Sequence, residues 1–100
     1  MIWKETKNKK QRRNELRKYI EDCFKKVYPF SITENGLPVF SLPDGLKMNV
    51  FSMGGTHFDS LGMSYKNSPE FGDDDGDLYD IDSFNTPEEL FKAMLEETKR

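Results

Sequence analysis

Residues 30–46 read Phe30-Ser31-Ile32-Thr33-Glu34-Asn35-Gly36-Leu37-Pro38-Val39-Phe40-Ser41-Leu42-Pro43-Asp44-Gly45-Leu46, and the two turn signals in this run decide the fold class. Phe30 and Ile32 alternate with Ser31 and Thr33, the period of a half-buried strand. Asn35-Gly36 is a pair able to take up two positive φ angles, so it predicts a type I′ hairpin turn. The returning strand is expected over Leu37 to Leu42, where Pro38 points to a sheet edge or an irregularity. Pro43-Asp44-Gly45 marks a second turn. Strands joined by connections this short can pair only antiparallel.

The meander extends downstream. Leu46, Met48 and Val50 share one face of a third strand, which Gly54-Gly55 breaks. Leu61, Met63 and Tyr65 share a face of a fourth. Residues 66–77 read as a polar loop rich in Asn, Ser, Pro, Gly and Asp, followed by a short extended stretch from Leu78 to Ile81.

Helices are expected on both sides of these strands. Leu16, Tyr19, Ile20, Cys23, Phe24, Val27 and Tyr28 recur at the spacing of one helical face, which predicts an amphipathic helix starting near Lys9. Pro29 ends it, because proline cannot donate the next backbone bond. A second helix is marked by Thr86 as N-cap, Pro87 at the first helical position and Glu89 completing a capping box. Leu90, Phe91, Met94 and Leu95 form its apolar stripe. The expected fold is therefore α+β, in the order α-β-β-β-β-α: a small antiparallel sheet of about four strands with the N-terminal and C-terminal helices packed on one face.

One hundred residues suit a single domain spanning 1–100, with residues 1–8 as a basic arm open to fraying. Hydrophobic residues make up 35% of the chain, so the core must rely on its eight Phe, four Tyr and five Met. No segment has the length and apolarity of a membrane span, and no apolar run after the N-terminal charges suggests a secretory leader. The one cysteine, Cys23, excludes an internal disulfide, and the expected compartment is the cytosol.

The net charge of −3 hides a division along the chain. Residues 1–26 carry ten Lys/Arg against four Asp/Glu, whereas residues 70–100 carry three against eleven. Asymmetry of this kind points to electrostatic partners. Within the basic segment, Lys9, Lys10, Arg12, Arg13 and Arg17 could neutralise phosphates along a helical stripe, which makes nucleic-acid binding one reading. No aromatic residues interleave them to stack on bases, and the chain as a whole is acidic.

The acidic run invites comparison with a calcium loop. Aligning Gly76 with the glycine of an EF-hand puts Asp73 and Asp75 at ligand positions, but it puts Phe71 at the first ligand position and Asp82 where a bidentate Glu belongs. That motif is rejected, and no metal or other cofactor is expected. A looser cation site from Asp73, Asp75, Asp77 and Asp80 is less economical than a solvated acidic surface. Such a surface, formed by Asp73, Asp74, Asp75, Asp77, Asp80 and Asp82, would suit a basic protein partner.

Catalytic constellations are weak. His57 lies between Gly54-Gly55 and Asp59-Ser60, but Ser60 lacks a nucleophile-elbow context. Cys23 falls on the apolar helix face, as a small hydrophobe would. No carboxylate is marked in the sequence by an apolar neighbourhood that would raise its pKa. Phe40, Phe51 and Phe58 belong to a set of aromatics larger than one sheet face can hide, and they form a candidate apolar binding patch. The expectation is a small non-catalytic protein-binding module. In size and charge it resembles the compact acidic inhibitors carried by phages and other mobile genetic elements, such as anti-CRISPR proteins, or toxin-immunity proteins.

Overall fold

The structure is a computed structural model that describes residues 8–54, 59–66 and 76–99. Helix α1 spans Lys9–Lys25, and strands β1 (Phe30–Ile32), β2 (Pro38–Ser41), β3 (Lys47–Gly54), β4 (Asp59–Lys66) and β5 (Gly76–Asp80) follow. A 3-10 turn over Ile81–Ser83 leads to helix α2, Pro87–Glu97. The strands form one antiparallel sheet in the order β1-β2-β3-β4-β5. The stretch expected to be merely extended after residue 77 thus supplies a fifth strand, in which Tyr79 faces Leu61 of β4.

The first helix begins where Asn8 caps it, its side chain accepting from the Gln11 amide at 3.1 Å. The last helical bond runs from the Tyr28 amide to the Phe24 carbonyl, and Pro29 has no donor with which to continue. Leu16, Ile20 and Phe24 are fully buried, whereas Val27 is 45% exposed. Of the predicted apolar stripe, Val27 is thus left at the surface past the end of the helix at Lys25, while Tyr28 still reaches the core. In α2 the capping box is present: the Glu89 amide donates to Thr86 Oγ1 and the Glu89 carboxylate accepts from the Asn85 amide. The two helices also meet at their C-terminal ends, where the Tyr28 and Thr98 hydroxyls lie 2.8 Å apart.

The Asn35-Gly36 turn differs in type from the expected I′ geometry. The Gly36 amide donates to Thr33 O and the Thr33 amide to Leu37 O, and only Gly36 of the central residues has positive φ, at 81°. This is a type I turn closed by a left-handed glycine, the usual three-residue hairpin. Leu42 to Leu46 repeats it, with Gly45 at φ 91° and Pro43 in the position where its fixed φ suits a type I turn. Thr33 Oγ1 and Asp44 Oδ1 brace the two loops by accepting from the Leu37 and Leu46 amides.

Pro38 opens an inner strand, not an edge strand. Leu42 and Leu46 form a hydrogen-bonded pair, as by alternation do Phe40 and Met48; the next such pair would be Pro38 with Val50, and Pro38 cannot donate. The β2–β3 ladder accordingly stops at Phe40.

The core lies between one sheet face and the two helices. Phe40, Met48, Val50, Leu61 and Met63 meet Leu16, Ile20 and Phe24 of α1, Leu90 and Met94 of α2, and Ile81 of the 3-10 turn. Phe24 occupies the centre, 4.9 Å from the Phe91 ring and 5.5 Å from that of Phe40.

Candidate functional site

The most highly organised polar site joins the start of α1 to the start of β4. Arg12 and Arg13 both reach Asp59, whose side chain is fully buried. Arg12 donates through Nε at 2.9 Å and through a second guanidinium nitrogen to Asp59 Oδ2, and Arg13 donates at 3.0 Å to Oδ1. Both carboxylate oxygens are thus taken. Arg12 also lies 3.3 Å from Asp82. Asp82 is held by the 3-10 turn, where Asp80 accepts from the Asp82 amide and from the Ser83 hydroxyl.

Local sequence explains why the arginines can enter. Gly54 stands opposite Asp59 in the β3–β4 register, and a Cβ there would collide with the Arg13 guanidinium. Two arginines and two aspartates make the group neutral, as a buried cluster must be to offset desolvation. Its chemistry is that of a clamp, fastening the first turn of α1 to the end of the β3–β4 hairpin.

This arrangement corrects the basic-stripe reading for two of its five residues. Arg12 and Arg13 face inward and use their donors on carboxylates, so they are not arrayed for phosphates. Lys9 and Lys10 are exposed, and Arg17 is half-buried with a buried Nε that has no hydrogen-bond partner. Glu15 and Asp22 are interleaved with them on the outer surface, Gln11 donating to Glu15 and Lys25 lying 3.7 Å from Asp22. Such a face is mixed in sign.

Of the proposed acidic surface, Asp80 and Asp82 are exposed, Asp82 in part through its contact with Arg12. Asp73, Asp74 and Asp75 lie outside the described residues, and Asp77 is described in its backbone alone, as part of β5. The apolar patch is also corrected. Phe40 is fully buried, because its side chain points to the helix face and is covered by Phe24. Phe51 is half-buried on the opposite sheet face, across Gly62 from the exposed Leu78. Phe58 and His57 fall outside the described residues.

Cys23 is half-buried, not enclosed as expected. It borders Tyr19, whose hydroxyl donates to Glu88 at 3.3 Å. Burial, with Cys23 and Glu88 adding to it, pushes the Tyr19 phenol up to about 12. Among the described residues, no group of His, Cys, Asp and Glu has the makings of a metal site.

One carboxylate contradicts the expectation that none lies in apolar surroundings. Glu21 is only 9% exposed, and its Oε2 has no hydrogen-bond partner. Burial raises its pKa against the opposing pull of Arg17 and Lys25, which flank it one turn away on either side. In sequence that spacing looks like a solvated ion-pair ladder, and this is why the buried carboxylate was not legible.

A raised folded-state pKa has a definite sign. The contribution of Glu21 to stability is fully present below its ordinary value of 4.5 and is lost as pH rises through the raised one. Glu21→Gln should flatten the fall in stability above pH 4.5 and leave the protein at least as stable at neutral pH, as read by urea denaturation across pH. An unchanged pH slope would place the carboxylate in water.

The chain matches no protein-family model, no curated protein and no solved structure.

Proposed function

We propose that the protein is a small non-catalytic binding module whose acidic C-terminal third engages a basic surface on another protein, in the manner of an inhibitor or decoy. The observation that supports this reading is the closure of Arg12 and Arg13 on Asp59. It engages two of the five basic residues of the nucleic-acid reading, and it uses a carboxylate from outside the C-terminal third to do so. Of the C-terminal carboxylates, Asp82 forms an ion pair with α1, while Asp80, Glu88, Glu89 and Glu96 remain at the exposed surface. Four described acids of the C-terminal third thus lie at the surface, where their charge can act on a partner. A field of one sign steers association with a partner of the other.

The test neutralises Asp73, Asp74, Asp75 and Asp77 to Asn together and compares capture of a partner from the native host with that by the unaltered protein. Partner capture should be lost in a variant that stays folded. With the recovered partner, the on-rate of the unaltered protein should exceed that of the variant by an order of magnitude or more at low salt, and the gap should close as salt is added. Retained capture by the folded variant overturns the reading and moves the search to the apolar surface around Phe51. Tight, sequence-dependent binding to duplex DNA at physiological salt, lost when Lys9 and Lys10 are neutralised, would replace it with the nucleic-acid alternative.

A further inference from the structure

We infer that β1 is a self-pairing edge, at which a second copy of this chain adds its own β1 antiparallel to continue the sheet. Among the described residues the sheet ends in two outer strands, β1 and β5, which differ in how they are protected. At one edge, β5 carries Asp77 and Asp80, and charges on an edge strand discourage pairing. At the other, Phe30-Ser31-Ile32 carries no charge, all three residues are exposed, and no proline lies within the strand. Phe30 is 44% and Ile32 52% exposed.

Backbone alternation determines which groups face outward. The Ser41 amide bonds to Pro29 O and the Thr33 amide to Leu37 O, so positions 29, 31 and 33 point their backbone groups toward β2. The N–H and C=O of Phe30 and Ile32 consequently point away from the sheet. In an antiparallel pair centred on Ser31, Phe30 of each copy meets Ile32 of the other, and all of these outward groups are satisfied. The same register places the Phe30 and Ile32 side chains of both copies on one face as a shared apolar cluster.

Charge agrees with the antiparallel sense. Lys25 and Lys26 precede the strand, with Lys25 Nζ 5.5 Å from the centre of the Phe30 ring, and Glu34 follows it in an exposed turn. Antiparallel pairing brings Glu34 of each copy toward the lysines of the other, whereas parallel pairing would oppose like charges. A three-residue ladder is short, so the dimer is expected to form at high micromolar concentration and to dissociate on dilution.

The test measures mass against concentration by sedimentation equilibrium, for the unaltered protein and for Ile32→Lys. The unaltered protein should shift from monomer to dimer, and Ile32→Lys should weaken self-association at least tenfold. A second arm is independent of that variant's folding. In a Cys23→Ser background, Ser31→Cys puts two thiols at a non-hydrogen-bonded cross-strand pair, where Cα atoms about 4.5 Å apart suit a disulfide. Asn35→Cys in the same background puts them more than roughly 20 Å apart at about 3.4 Å per residue. Mild oxidation should give a covalent dimer in the first case and not in the second. A protein that stays monomeric at millimolar concentration, or equal cross-linking at positions 31 and 35, overturns the inference and leaves the edge to a strand from another protein.

Discussion

Asp59→Asn will cost about 3–5 kcal/mol of folding stability, measured by urea denaturation at neutral pH. The substitution keeps shape and volume but removes the charge that both Arg12 and Arg13 address. Arg12 is 8% exposed and would be left with Asp82, at 3.3 Å and in a far wetter setting, as its partner in the cluster. Weakening the closest counter-charge of a buried cation is the expensive outcome, and an amide oxygen does not replace a carboxylate. The loss should come from the two arginines that lose this shared carboxylate and not from Asp59 alone. Combining Asp59→Leu with Arg12→Met should then be less damaging than Asp59→Asn, since removing both partners leaves less charge unpaired. A loss below about 1 kcal/mol for Asp59→Asn would assign the pair the modest value of a surface ion pair.

The same cluster marks the limit of what the sequence discloses. Periodicity placed Leu16, Ile20 and Phe24 on one helix face, and Met48, Val50, Leu61 and Met63 on one sheet face, because local geometry alone decides which side chains share a face. The Thr86 cap and the two glycine-closed loops were legible for the same reason. Asp59 was not, since what distinguishes it is contact with residues 46 and 47 positions away. In the sequence it is one aspartate beside a histidine, and the glycine that admits Arg13 reads as a strand breaker. Strand β5 was read only as an extended stretch because its five residues contain one Gly and two Asp, and only pairing with β4 makes them a strand. Of the proposed binding residues, Phe40 was misplaced because composition signals a surplus of aromatics without saying which ones the helices cover.

Phe24→Ala should cost about 3–5 kcal/mol, through lost transfer energy together with the cavity left behind. Phe24 is fully buried and is the one side chain that touches both helices and the sheet through rings: Tyr28 at 6.2 Å, Phe40 at 5.5 Å and Phe91 edge-on at 4.9 Å. Its neighbours are held by separate backbones, namely the segment after α1, β2 and α2, so the void cannot close by moving a single element. At roughly 4–8 °C per kcal/mol for a domain of this size, the thermal midpoint should fall far enough to bring unfolding near ambient temperature. Val27→Ala is the matched control, because periodicity assigns both residues to one stripe while only Phe24 lies over the sheet. Val27 at 45% exposure should change stability by no more than about 0.5 kcal/mol. Comparable losses at the two positions would extend the packed interface of α1 past Lys25, whereas a loss confined to Phe24 places the core under the part of the helix that ends there.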